Sequence, residues 1–349
     1  MSTSEKGVLK QNKEENVTTQ IAITYGYIVV WIGLSALVIL LNKYVLAYSG
    51  FPFPIALTLS HMAFCASLAF VLIKLGVSDT AHMDSAMYIR CVLPIAALFA
   101  GTLWMGNAAY MYLSVAFIQM IKALMPAAVY TSGIVFGTEK YSLSYALNMV
   151  VVTIGVAAAS YGEINFNMIG VLFQGGSILT ESTRLVLIQI LLQQQGIKLN
   201  PITTLYYVAP ACFMFLLLPF AFLELPKFLD PNEIWDFNPY LLLLSAASAF
   251  ALNMAVFLLI GRSSALTMNI AGVIKDWLLI MLSVLMFGSP VSVIQLLGYG
   301  VAFGGVCWYN YLKYQAMNAS SKIASDKERE PLLNQADAGG GKMGGNSRP

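Results

Sequence analysis

Residues 90–136 read RCVLPIAALFAGTLWMGNAAYMYLSVAFIQMIKALMPAAVYTSGIVF, and after Arg90 the only charge in the run is Lys122. A helix that crosses a bilayer takes about 20 mostly apolar residues. The run therefore holds two such helices, residues 90–111 and 114–136, which meet at Leu113 with almost no loop. Working outward, the same criterion selects eight more stretches: 22–47, 53–75, 143–161, 168–192, 203–223, 239–260, 264–287 and 292–314. Ten spans follow, in an all-α membrane protein. The composition agrees, with 58% hydrophobic and 10% charged residues among 349, where soluble domains carry charge on roughly a quarter of their positions.

The spans divide the chain into a tail (1–21), a ten-helix domain (22–315, with halves at about 22–161 and 168–315) and a second tail (316–349). Lysine and arginine distribution orients it. Of the 19 such residues, 14 fall on the side of the two tails, among them Lys74, Arg90, Lys140, Lys198, Arg262 and Lys313, and only Lys43 and Lys227 fall opposite. The positive-inside rule places both tails in the cytosol. The sequons at Asn16 and Asn318 then lie in the cytosolic tails and stay unmodified. The first 20 residues have neither an apolar signal core nor an Arg-rich transit pattern, which points away from a plastid envelope. From Ser320 the hydrophobic periodicity ends and the glycine-rich tail reads as disordered. Within it Glu328, Leu332 and Leu333 have the spacing of an acidic dileucine signal for a sorting adaptor.

Span 4 runs from Ser114 through Lys122 to Phe136-Gly137, and span 9 from Ser264 through Lys275 to Phe287-Gly288. The two halves thus look faintly alike at an offset of about 150 residues, a pattern typical of carriers with a midplane site between repeats. Five ionisable residues lie well inside spans: Lys122, Glu181, Arg184, Lys275 and Asp276. Charges at that depth normally face protein or water and mark a pathway. Glu181 and Arg184, three apart on one helix, are spaced to pair. Lys275 and Asp276 are adjacent, so their side chains leave the helix about 100° apart, and Asp276 is not expected simply to neutralise Lys275. Lys122 and Lys275 have no acidic residue at i±3 or i±4, and two such ammonium groups at matching depth suit a phosphate.

Tyr206, Tyr207, Asn107, Asn253, Thr267 and Asn269 are candidates to hydrogen-bond a sugar or base, although for any one of them hydrogen bonding between helices is the better account. Gly300 and Gly304 form a GxxxG pattern suited to close helix packing. Cys65, Cys91, Cys212 and Cys307 lie in apolar spans without metal-ligand spacing, and His61 reads as a packing residue. With no HExxH, GxSxG or DxD motif and no acid–base carboxylate pair, the chain is not expected to be an enzyme, to use a cofactor or metal, or to bind nucleic acid. The alternative to a carrier is a transporter-like scaffold or sensor whose working part is the dileucine tail.

The stretches Asn42–Leu46, Leu57–Met62, Ile121–Pro126, Ala159–Glu163, Thr183–Gln189 and Ser264–Thr267 through Lys275 resemble the triose-phosphate translocator and nucleotide-sugar transporter family of the drug/metabolite transporter superfamily. The resemblance implies ten helices in two inverted five-helix repeats, cytosolic termini and strict exchange of a small anionic substrate for a counter-substrate. It also implies that Lys122 and Arg184 hold phosphate. The plastid phosphate translocators carry a Lys-Arg pair in span 9, and here it reads Lys275-Asp276. Their histidine and threonine of span 3 become Leu103 and Gly106, the latter expected to open space, and their tyrosine of span 8 becomes Leu252. The Lys-Asp form resembles plant members of the Golgi and related membranes. It favours exchange of a nucleotide sugar for a nucleoside monophosphate, with sugar phosphate against phosphate as the alternative.

Overall fold

The structure is a computed structural model that describes residues 3–77, 83–195, 201–260 and 265–340, with side chains described at 23–77, 83–190, 202–256, 259, 271, 272 and 274–316. Ten helical rods follow one another among these residues. They are α1 (Thr3–Ala47), α2 (Pro54–Lys74), α3 (Ser85–Tyr112), α4 (Val115–Val135), α5 (Leu143–Tyr161), α6 (Met168–Gln195), α7 (Ile202–Phe228), α8 (Pro239–Ile260), α9 (Ala265–Phe287) and α10 (Val293–Gly340). Among the described residues seven helices are long and apolar enough to cross a membrane: α1 from Ile23, α2, α3, α4, α5, α7 and α8 to Val256. The expected spans at 168–192, 264–287 and 292–314 are helical as α6, α9 and α10 but fall outside that set. α6 spends positions on Glu181, Arg184 and several glutamines, and much of α9 has no described side chains. Helical backbone continues along α10 to Gly340, past Ser320 where the composition points to disorder, and the side chains of Glu328, Leu332 and Leu333 lie outside the described residues.

The helices stop for local reasons. Gly76, Gly137 and Gly288 follow α2, α4 and α9 with φ of 74°, 74° and 59°. This is the left-handed conformation that ends helices at little cost only for residues such as glycine. α3 packs on α6 as α8 packs on α1; α3 meets α7 as α8 meets α2; α4 meets α6 as α9 meets α1. The remaining main partners are α2 with α7, α4 with α9 and α5 with α10; these pairings recur when every number is advanced by five, whereas the packing of α1 on α3 has no counterpart of similar extent between α6 and α8.

The closest approach joins α5 to α10. A Cβ built on Gly155 lies 2.8 Å from the Gly298 carbonyl oxygen, and one built on Gly298 lies 2.8 Å from the Gly155 oxygen. Gly300 and Gly304, the expected packing pair, face open space, so the close contact uses the other side of the helix. Gly106 likewise opens no cavity, because a Cβ there is 3.1 Å from Ser177 Oγ of α6.

Because lipid cannot satisfy backbone or side-chain polar groups, the bundle satisfies them internally. Asn42 of α1 donates through Nδ2 to Asn107 Oδ1 (3.1 Å), Asn107 donates to Thr58 Oγ1 (2.9 Å), and Ser245 of α8 donates to Asn42 Oδ1 (2.7 Å). His61 Nε2 shares a hydrogen bond of 2.9 Å with Ser245 Oγ. All five side chains are buried, and the network ties α1, α2, α3 and α8 together.

At the end of the bundle where α1 turns into α2, charges cap helices. Lys43 Nζ donates to the carbonyls of Tyr110 (2.7 Å) and Leu113 (3.0 Å) at the C-terminus of α3. The Glu224 carboxylate accepts from the amides of Ile55 and Ala56, both at 2.8 Å, at the N-terminus of α2. Each charge has the sign that complements its helix end. Phe51, Phe53, Phe228 and Trp235 cluster over this end, Tyr48 stacks on Phe287 at 5.1 Å, and Ser292 Oγ donates to Gly162 O at 2.6 Å. Glu163 is also buried here and accepts from Gln295; burial pushes its carboxyl above the usual range, and that hydrogen bond opposes the rise. This end is sealed.

Two outcomes test these contacts. Gly155→Val is expected to abolish the folded, monodisperse fraction in detergent while Gly300→Val leaves it intact, as read by size exclusion. Glu224→Ala leaves two buried amide donors without partners and is expected to lower stability by about 1–3 kcal/mol, seen as a reduced thermal midpoint.

Candidate functional site

Lys122 sits at a break in α4. Its carbonyl has no α-helical partner four residues on, because Pro126 lacks an N–H. The Met125 amide bonds it instead, and Lys122–Leu124 tighten into a 3₁₀ turn. Such mid-helix turns often mark functional positions. Beside the turn lies a cavity of about 220 Å³ between α4, α9 and α10, lined by Gln119, Lys122, Gly272, Asp276, Tyr299 and Asn310 among others.

The other charges come in pairs. Arg184 donates from Nε to Glu181 Oε2 (2.9 Å) and from Nη2 to Oε1 (2.5 Å), the fork that guanidinium and carboxylate form best. The guanidinium also lies 4.6 Å from the centre of the Phe99 ring. Lys275 Nζ lies 3.3 Å from Asp276 Oδ1 and 5.5 Å from the centre of the Trp31 ring. This corrects the expectation from the 100° offset: the four-carbon lysine stem is long enough to fold back to its neighbour's carboxylate. Lys122 takes part in no salt bridge among the described residues. Asp276 and Glu181 still act on it electrostatically, and it acts on Lys275. Among the described residues the interior charges are thus two ion pairs and the ammonium of Lys122, which is in no ion pair and lines the cavity.

The remaining candidates do not gather there. Asn107 is consumed by Asn42 and Thr58, and Asn253 Nδ2 donates to Ala249 O at 2.8 Å within its own helix. Tyr206 and Tyr207 meet edge to face at 5.0 Å in the cluster of α2, α3 and α7, with Tyr206 stacked on Phe70 and Tyr207 O accepting from Tyr88. Leu103 packs against the same cluster. The side chains of Thr267 and Asn269 lie outside the described residues.

Gln119 was not among the expected residues. It is 1% exposed, lines the cavity one turn before Lys122, and neither its Nε2 nor its Oε1 has a hydrogen-bond partner. The available signal was its position three residues from Lys122 in an apolar span, which puts both on one helix face.

Comparison with known proteins agrees with this architecture. Residues 22–310 match the Triose-phosphate Transporter family. Two Arabidopsis thaliana proteins, each named a probable sugar phosphate/phosphate translocator, are 48% identical over 332 and 322 residues. The first match covers 94% of this chain and 93% of the relative, the second 90% and 92%. A third of the same name and organism is 47% identical, covering 94% of this chain and 93% of the relative. A multi-helix membrane chain with Lys122 and Asp276 on an interior cavity, matched to the family over residues 22–310 and to its relatives over most of its length, belongs to the triose-phosphate transporter family.

Proposed function

We propose that this chain is an antiporter that exchanges a sugar phosphate for inorganic phosphate by alternating access. The observation that carries the reading is the ammonium of Lys122, in no ion pair among the described residues, on a cavity between α4, α9 and α10. A bare cation at this depth is costly, and a phosphate ester supplies the missing charge. The names of the relatives favour this substrate class over a nucleotide sugar. So does the volume of about 220 Å³, below the roughly 300–1,000 Å³ of pockets that take drug-sized ligands. Arg184 and Lys275 then serve as secondary charges, which phosphate recruits by loosening their pairs with Glu181 and Asp276.

The helix pairings that repeat on advancing by five support two inverted five-helix repeats rocking about the site. The contacts at Lys43 and Glu224, which join helices at one end of the bundle, suit one closed gate of that cycle. We assign the carrier to the Golgi or a related endomembrane on the resemblance of its Lys275-Asp276 form, and place both termini in the cytosol on the lysine and arginine distribution. Coupling follows from the charge: carrying an empty, unpaired ammonium through the occluded state costs more than carrying a neutralised one, so flux in one direction requires flux in the other.

Purified protein in vesicles loaded with phosphate, UMP, GMP or buffer is expected to take up labelled phosphate and sugar phosphates only against internal phosphate. Uptake driven by a nucleoside monophosphate alone would turn the assignment to nucleotide sugars. No uptake from any loading, with folded protein, would leave the scaffold alternative. Lys122→Ala and Lys275→Ala are each expected to cut exchange on the order of 100-fold without moving the thermal midpoint. Asp276→Asn, which frees Lys275 from its pair, is expected to lower the KM for phosphate.

A further inference from the structure

We propose that Gln119 is the specificity-determining contact of the cavity, its amide reading the hydroxyl-bearing part of the substrate while Lys122 holds the phosphate. The inference rests on the exchange proposed above and adds to it how a sugar phosphate is told from phosphate itself. Gln119 is buried, yet both polar atoms of its amide lack partners. Native proteins rarely leave such atoms unpaired, since the lost hydration is not recovered. Hydrocarbon makes the deficit worse. The residue lines the cavity three positions before Lys122, on the same face of α4, so a small turn of its side chain brings the amide to a ligand held by the ammonium.

The donor and acceptor inventory then selects the ligand. Lys122 offers only donors, and the phosphate oxygens of an ionised ester are acceptors. Gln119 Nε2 is a donor that either ligand can use, but Oε1 is an acceptor and needs an O–H. Across the cavity Asp276 presents a second acceptor, which repels phosphate oxygens and attracts hydroxyls. One cation with two acceptors is thus complementary to a polyhydroxylated phosphate ester, whereas bare phosphate leaves Oε1 unpaired. A site built around a substrate hydroxyl discriminates strongly against ligands that lack it. Gln174 of α6 has the same unpaired amide and 1% exposure but does not line this cavity, which makes it the internal comparison.

The test is competition in phosphate-loaded vesicles, with triose, pentose and hexose phosphates and their deoxy analogues opposing uptake of labelled phosphate. Gln119→Met, close in shape but without the amide, is expected to raise the inhibition constant of the best sugar phosphate on the order of tenfold. Its phosphate homo-exchange should fall by less than its binding of the sugar phosphate, because Nε2 serves both ligands and Oε1 only the hydroxylated one, and its preference for the hydroxylated competitor over its deoxy analogue should collapse. Gln174→Met should change neither. An unchanged preference in Gln119→Met overturns the proposal, as does loss of both activities in folded protein. If Gln119→Met does not fold, Gln119→Leu is put through the same competition. A wild-type carrier that ignores phosphate but exchanges UMP defeats the sugar-phosphate reading alone. Nucleotide sugars and their deoxy forms then test Gln119 by the same criterion.

Discussion

A bilayer interior offers no water to an unpaired polar group, and nearly every described feature of this chain answers to that constraint. Backbone groups are consumed in helices, and glycines in the left-handed conformation end three of them. Buried side chains of α1, α2, α3 and α8 satisfy one another through Asn42, Asn107, Thr58, Ser245 and His61. Charges at the helix ends are spent on amides and carbonyls, as with Glu224 and Lys43. Against this accounting, an ammonium without a counter-ion and an amide without partners on the same cavity form a local exception. Exceptions of that kind are where binding energy is available to a ligand.

The end of the bundle where α1 turns into α2 and the interior around Lys122 are built differently. Where α1 turns into α2, charge caps, an aromatic cluster and the Ser292–Gly162 hydrogen bond join segments from both halves of the chain. The backbone at Lys122 is instead interrupted by the 3₁₀ turn that Pro126 imposes. A packed helix resists bending unless its hydrogen-bond ladder is broken. The break therefore puts the compliant point of α4 beside the cavity, next to the residue that holds the charge.

The helical architecture was legible in the sequence because the bilayer sets both the length and the apolarity of each segment, and all ten apolar stretches coincide with helical rods. The pairing of Glu181 with Arg184 followed from spacing on one helix. What depends on a partner from elsewhere was not legible. Gly300 and Gly304 have the right spacing for close packing, but α5 approaches the face that carries Gly298. Gly106 lacks a side chain, but Ser177 fills the space. Nor is the Lys275–Asp276 pair legible in the sequence, because helix geometry fixes the Cβ directions about 100° apart while a lysine Nζ ranges far from its Cβ. Gln119 is polar and one turn from Lys122, but only the packed structure reveals that nothing satisfies its amide.

Charge balance connects these observations to selectivity. If Lys275 and Asp276 were replaced by two cations, the cavity would hold a strong positive field, and the most compact dianion would bind best. With Asp276 on the cavity wall and pairing Lys275, the local excess falls to the charge of Lys122. Phosphate then gains less from Coulomb attraction, and a larger share of the binding energy must come from directional hydrogen bonds. An acceptor such as Gln119 Oε1 contributes only to a ligand that brings a hydroxyl. Lowering the positive field is therefore the condition under which a sugar phosphate can compete with phosphate on one site, and an exchanger of the two requires that both bind.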